Sequence, residues 1–316
     1  MKISVVVPIH NEEDCLPELH ARLIATLEGL GLEHQIIFVN DGSSDRSLEL
    51  MSRYAEADRR IVIINLSRNF GHQPALSAGL SYASGDVVVL MDGDLQDPPE
   101  LIGTMLECWR DGHEVVIAMR RGRGEKGLRK VMFDIFYKVL GFLSDYPLPL
   151  NAGIFGLLDR RCVEEINRLS EHNRFLPGLR CWIGFRQGSV YYERSNRFAG
   201  EPKQSFWRLV KYGLDAIFSF SYKPLRVALV LGLAVFGLTF SYASVLVFLR
   251  VIGYNVVRGF TTPTVAILIL GGIQLFTIGI LGEYLGRIYD EVKRRPYYIV
   301  SGVVNISEVG ASKGSS

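Results

Sequence analysis

The sequence predicts an α/β protein: a mainly parallel sheet with helices on both faces, followed by interfacial helices and an apolar helical hairpin. Three observations predict it. Short β-branched runs alternate with helical patterns between residues 3 and 119, joined by short links. Such alternation builds parallel sheets covered on both sides. Polar residues gather just after each apolar run, at the carboxyl edge where open α/β sheets bind ligands. Two long charge-free apolar stretches follow nearer the C-terminus, each able to cross a bilayer core.

At 316 residues the chain has room for one large domain and an appendage. A mean hydropathy of +0.18 is high for a wholly soluble protein. A net charge of +2 leaves no broad basic footprint, so no nucleic-acid partner is expected. Cys15, Cys108, Cys162 and Cys181 are far apart and form no CxxC. They read as small buried side chains in a reducing compartment. Met1-Lys2 leads straight into a strand, so no signal peptide is expected.

Ile3-Ser4-Val5-Val6-Val7-Pro8 reads as a buried strand stopped by Pro8. The acids after His10-Asn11 suit a helix N-terminus, and a helix is expected over residues 15–30. Residues 34–40 form a second strand, closing on Asp41-Gly42-Ser43-Ser44-Asp45, a polar turn and helix cap in one. A third strand spans residues 61–66 and feeds Ser67-Arg68-Asn69-Phe70-Gly71-His72, then a helix over 74–83. Strands at 86–91 and 114–119 complete the pattern. No GxGxxG follows the first strand, which disfavours a dinucleotide site.

The centre of the pattern is Val87-Val88-Val89-Leu90-Met91-Asp92-Gly93-Asp94-Leu95-Gln96-Asp97-Pro98-Pro99-Glu100. A buried run ends in two carboxylates one residue apart. Gly93 is expected to turn the chain sharply, so that Asp92 and Asp94 approach one point. Gln96 adds a third oxygen. Hard oxygen ligands on a short arc suit Mg²⁺ or Mn²⁺. Pro98-Pro99 ends the strand and can start a helix.

Residues 120–130 are basic and Gly-rich, including Arg120, Arg121, Arg123, Lys126, Arg129 and Lys130. They read equally as a solvated loop or as a clamp on phosphates. An amphipathic helix is expected over 131–143 and an aromatic-rich interfacial helix over 205–221. Spans are expected at about 227–249 and 263–285. Lys211, Lys223 and Arg226 precede the first, and Arg287, Lys293, Arg294 and Arg295 follow the second. The positive-inside rule then places the large domain and both termini in the cytoplasm, at the inner membrane. The expected units are 1–204, 205–224, 225–287 and a cytoplasmic tail over 288–316, of which Ser301 to Ser316 has little to bury and reads as loose.

Together these pieces suit sugar transfer from a nucleotide: cation and basic groups would neutralise a diphosphate leaving group. The hairpin would set an amphiphilic acceptor beside them. The chain resembles the family 2 glycosyltransferases of the GT-A fold, within them the polyprenyl-phosphate glycosyltransferases such as bactoprenol glucosyltransferase and dolichol-phosphate mannose synthase. The resemblance is carried by Val7-Pro8-Ile9-His10-Asn11-Glu12-Glu13, Val39-Asn40-Asp41-Gly42-Ser43, Ser67-Arg68-Asn69-Phe70-Gly71, the run from Met91 to Glu100, Ala199-Gly200-Glu201-Pro202-Lys203, and Leu281-Gly282-Glu283-Tyr284-Leu285-Gly286-Arg287-Ile288-Tyr289. It implies a nucleotide-sugar donor, UDP-glucose or a relative, and a polyprenyl-phosphate acceptor such as undecaprenyl phosphate. Pro8, Glu12 and Asp41 would hold the nucleoside, with Arg68 in the same donor-binding set. Asp92, Asp94 and Gln96 would hold Mg²⁺ or Mn²⁺ and through it the diphosphate. Arg120, Arg129 and Lys203 would reach phosphates, and Asp94, Arg129 and Lys203 would act in catalysis. Relatives suggest a homo-oligomer, a tetramer.

One departure stands out. Resembling enzymes often carry Asn-x-Gly-Asp-Phe-Arg, where this chain has Asn151-Ala152-Gly153-Ile154-Phe155-Gly156. No general base is assigned, and Asp159 reads as a helix cap. Two rival readings are a processive polysaccharide synthase of the same fold and a catalytically silent nucleotide-sugar-binding membrane scaffold.

Overall fold

The computed structural model describes residues 1–120, 152–172, 174–192, 223–252 and 261–306. The strands are β1 (Lys2–Ile9), β2 (Glu33–Asn40), β3 (Ile61–Leu66), β4 (Val87–Leu90), β5 (Val115–Arg120), β6 (Ala152–Asp159), β7 (Gln187–Tyr192) and β8 (Val300–Val304). They form one sheet in the order β7-β5-β6-β4-β1-β2-β3-β8. Parallel pairing joins β1 to both β2 and β4, β2 to β3, and β5 to β7. β6 and β8 run antiparallel to their neighbours. The sheet is mainly parallel, as expected.

The helices are α1 (Leu16–Gly29), α2 (Ser47–Ala57), α3 (His72–Tyr82), α4 (Leu101–Arg110), α5 (Arg160–Arg168), α6 (Leu176–Trp182), α7 (Lys223–Val251) and α8 (Thr261–Lys293). Alternation along β1 explains why its apolar run is unbroken. Ile3, Val5, Val7 and Ile9 join one core with Leu16, Leu19, Leu23 and Leu27 of α1. Val6 faces the other core, with Ala75 and Leu76 of α3 and Val163 of α5. A strand covered on both faces needs no polar side, and each fully buried aliphatic side chain contributes roughly 1.5–3 kcal/mol. All four cysteines are free. Burial pushes the Cys162 thiol up to about 12, so it is an inert packing group.

Several expectations change. β1 runs through Pro8 to Ile9. The Val6 carbonyl accepts from Met91 and the Ile9 carbonyl from Asp41, so Pro8, in phase with Val6, faces the β4 side. The β1–β4 ladder has already ended there, at Val6–Leu90. A missing N–H costs nothing at that position. The tail expected to be loose from Ser301 onward instead forms β8, pairing with β3. It covers a sheet edge that would otherwise be open, and the Asn305 side chain donates to the Ile61 carbonyl at 3.0 Å. β6, β7 and α6 had no counterpart in the sequence reading, and α2 had only its expected cap at Asp41 to Asp45.

The expected cap holds: the Asp159 side chain accepts from the Arg161 N–H at 2.9 Å at the start of α5. α7 and α8 coincide with the expected hairpin and pack on one another. Among the described residues, Ile269–Lys293 is long and apolar enough to cross a membrane, and Ala228–Tyr242 is a shorter apolar stretch. Leu229, Leu233, Leu275 and Leu285 stand exposed on them. The loop over 121–130, the helices expected at 131–143 and 205–221, and the hairpin link at 253–260 lie outside the described residues.

α4 begins as Pro98-Pro99 requires, and Arg22 of α1 grips Glu100 beside it with two bonds of 2.9 and 2.7 Å. The Arg22 hydrogen bond holds the Glu100 carboxyl below its ordinary value. The pair's contribution is therefore present above that ordinary value and is lost as pH falls through the depressed one. Both groups are partly exposed, so the effect is below about 1 kcal/mol. Arg22→Gln should raise the Glu100 pKa toward normal and shrink the acid-side loss of stability by that small amount, measurable by side-chain carboxyl NMR and denaturant melts at pH 3 to 7.

Candidate active site

The site lies at the carboxyl ends of β1 to β4, where register brings four loops together. The loops after β1 and β2 are laced to one another. Asn11 accepts from the Ser44 N–H at 2.8 Å, and the Ser47 hydroxyl accepts from the Glu12 N–H at 3.0 Å. His10 Nδ1 donates to the Asp41 carbonyl at 2.9 Å, leaving Nε2 to accept from the Asn69 amide at 3.0 Å. Gly42 has φ +66, and a Cβ there would lie 2.5 Å from the Asn69 nitrogen. The turn after β3 thus presses directly on the turn after β2.

Asp41 is buried. Its two carboxylate oxygens accept the backbone N–H groups of Phe70 and Gly71 at 2.7 and 2.9 Å. These bonds hold the chain where it enters α3, whose first residue is His72. His72 Nε2 lies 2.7 Å from Asp92 Oδ1. Burial by itself would lower the imidazole pKa; the hydrogen bond and the charges of Asp92, Asp41 and Asp94 outweigh it and hold the value above normal. Sequence reasoning left His72 out of the site. Its signal was present: a histidine just past a strand end, at the edge where the carboxylates gather.

The chain bends from Gly93 to Leu95, as expected. Gly93 is not the left-handed residue; Leu95 is, at φ 60. Gly93 is small for packing, since a Cβ there would lie 2.7 Å from Ile9 Cδ1 and 3.1 Å from the Pro8 carbonyl. Leu95 tolerates a conformation costing about 1–2 kcal/mol because its side chain is buried in the core. The Gln96 N–H donates to Asp94 Oδ1 at 3.2 Å, and the Tyr192 hydroxyl of β7 fastens Asp97 Oδ1 at 2.7 Å. Gln96 is buried, and among the described residues its side-chain carbonyl oxygen has no hydrogen-bond partner.

Of the expected site residues, Pro8, Glu12, Asp41, Asp92, Asp94 and Gln96 all occupy this edge. Arg68 lies there too, exposed, with its guanidinium 4.0 Å above the Phe70 ring. Arg120 ends β5 opposite Tyr192. Arg129 and Lys203 lie outside the described residues. Ile154 and Gly156 sit on β6, where Gly156 pairs with Leu90. Arg180 of α6 is fully buried behind them and donates to the Ile154 and Gly153 carbonyls at 3.0 and 2.9 Å.

Residues 4–166 match the model of glycosyl transferase family 2. The chain belongs to that family. Residues 223–288 match the GtrB C-terminal hairpin, which covers α7 and most of α8. An uncharacterized glycosyltransferase of Synechocystis sp. is 46% identical over 95% of this chain and 95% of its own. The bactoprenol glucosyl transferase of Shigella phage SfII is 42% identical over 95% of this chain and 97% of its own. The uncharacterized glycosyltransferase YkcC of Bacillus subtilis is 42% identical over 95% and 93%. In this family 2 glycosyltransferase, the paired acids and the loops laced around them form the candidate sugar-transfer site.

Gly42→Ala should loosen that site. It adds a left-handed φ penalty and drives Cβ into backbone that cannot yield, a loss of about 1–3 kcal/mol. Thermal melts of purified protein should show the drop, and amide exchange should show faster opening at Phe70 and Gly71, whose N–H groups Asp41 holds.

Proposed function

We propose that this glycosyltransferase moves a hexose, with inversion, from a nucleotide-sugar such as UDP-glucose to undecaprenyl or another polyprenyl phosphate. The observation that carries the reading is the Asp92-Gly93-Asp94 loop at the sheet edge, in a chain that also carries the matched hairpin. Relatives of nearly the same length bear the name bactoprenol glucosyl transferase. The hairpin would hold the domain on the cytoplasmic face of the membrane, where the acceptor phosphate lies.

The residues fit a divalent cation of the hard, oxygen-seeking kind. Among the described residues no three His, Cys, Asp or Glu side chains form a ready cage. Mg²⁺ and Mn²⁺ need none, because they are commonly held by one or two carboxylates and complete their shell with water and substrate phosphates. The buried Gln96 oxygen, without a partner among the described residues, supports the same reading. Asp92, Asp94 and Gln96 would hold the cation, which supplies charge neutralisation for a departing diphosphate.

The chain's own residues supply orientation. Pro8, Glu12 and Asp41 would hold the nucleoside, and Arg68, Arg120, Arg129 and Lys203 would face phosphates. An acceptor phosphate oxygen attacks the anomeric carbon; the carbon–oxygen bond to the nucleoside diphosphate breaks, and that group leaves with the electron pair. A phosphate monoester has a second pKa near 6 and is largely dianionic at neutral pH. It needs placement more than proton removal, consistent with Ile154 standing where resembling enzymes carry an acid.

Purified protein incubated with a panel of nucleotide-sugars, Mg²⁺ or Mn²⁺ and undecaprenyl phosphate should yield a lipid-linked monosaccharide detectable by mass. Polymer in place of that product would instead support a processive synthase, and nucleotide binding without turnover a silent scaffold. Asp94→Asn should lower transfer by at least about 100-fold, the scale of losing one charge-stabilising group. EDTA should abolish transfer, and added Mn²⁺ should restore it.

A further inference from the structure

We propose that His72 is a positioning residue for the cation site: it orients the Asp92 carboxylate from the N-terminal turn of α3. The proposal rests on the cation reading above. Its basis is geometric. His72 Nε2 and Asp92 Oδ1 are 2.7 Å apart, and each side chain is about two-thirds covered, at 35% and 34% exposure. With Oδ1 tied to the imidazole, the carboxylate plane and the direction of its second oxygen are set before any cation arrives. Carboxylates that bind metals are generally held by such partners, whose removal weakens binding by about 10–100-fold.

His72 can do this only because its own place is fixed. The two Asp41 bonds to Phe70 and Gly71 pin the residues just before it. Gly71 turns the chain at φ 102, a conformation glycine adopts freely. The Ala75 N–H donates back to the Gly71 carbonyl at 3.1 Å, closing the first turn. The Gln73 side chain accepts from the Leu176 N–H at 3.0 Å, tying that turn to α6. A carboxylate after β2 thereby controls a carboxylate after β4, with α3 as the lever between them. This gives His72 a function separate from contact with sugar, nucleotide or cation.

The test measures Mn²⁺ binding without substrate or turnover, by the electron paramagnetic resonance signal of free Mn²⁺. It compares full-length wild type, His72→Ala, His72→Gln and Asp94→Asn. Expected is a 10–100-fold weaker Kd for His72→Ala, with most of the loss recovered in His72→Gln, which keeps an N–H donor. If His72→Ala binds as tightly as wild type while Asp94→Asn does not, the positioning role is wrong and the cation site stands. If Asp94→Asn also binds as tightly, the cation site itself is misplaced and both readings fall. A second measurement needs no variant. The Mn²⁺-loaded wild type should show no directly bonded nitrogen in its electron spin-echo envelope, and a strong nitrogen coupling would make His72 a ligand and overturn the proposal.

Discussion

The buried carboxylate of Asp41 is the contact on which the candidate site depends. It spends both oxygens on backbone N–H groups of the turn after β3. A carboxylate accepting such bonds in a dry site makes stronger contacts than neutral pairs do. Removing it would strip the partner from two partly buried donors, at up to about 1–3 kcal/mol each. The same residue offers its carbonyl to His10, so the loops after β1, β2 and β3 share one anchor. Contact with a nucleoside, as the family resemblance implies for Asp41, would use lone pairs these bonds leave over. The sheet supplies the frame. β1 pairs in parallel with both β2 and β4, which forces their carboxyl ends to one edge whatever the loops contain.

The strands that carry the site were legible because they are buried on both faces. A run such as Val87-Val88-Val89-Leu90 has no polar alternative to weigh against. The start of α2 was legible from its cap but its extent was not, since it buries only Ser47, Met51 and Ala55, a stripe too narrow to stand out as a helical face. β6 was hidden by Gly153 and Gly156, and β7 by an alternation that includes Gly188. β8 escaped because its partner is an edge strand more than two hundred residues earlier, and nothing local reports that pairing.

The paired acids and Gln96 were readable from spacing alone. What holds them was not. Asp41 reaches residues 29 and 30 positions away, and His72 reaches one 20 positions away. Such partners are chosen by strand order, and strand order is not written in local pattern. Gly93 illustrates the same limit. Its bend was expected from the sequence, but the crowding of Ile9 and Pro8 on the neighbouring strand was not, nor was the buried leucine that accepts the strained conformation.

Arg180 shows how far a departure in sequence can be absorbed. It is a fully buried cation whose side-chain hydrogen bonds run to the Gly153 and Ile154 carbonyls, and its Nε has no partner among the described residues. Burial brings its pKa down to about 10, so it stays charged at neutral pH. Desolvating such a group costs several kcal/mol, offset by charge-assisted bonds worth about 1.5–3 kcal/mol each. The arrangement requires glycine at 156, where a Cβ would stand 2.6 Å from the Val116 carbonyl and 3.2 Å from the guanidinium. The start of β6, beside the Asp92 loop, is thus stiffened by a side chain from α6. Gly156 and Arg180 therefore fit each other as a pair. A buried cation spent on main-chain carbonyls braces β6 from α6 and fixes the residue type at 156.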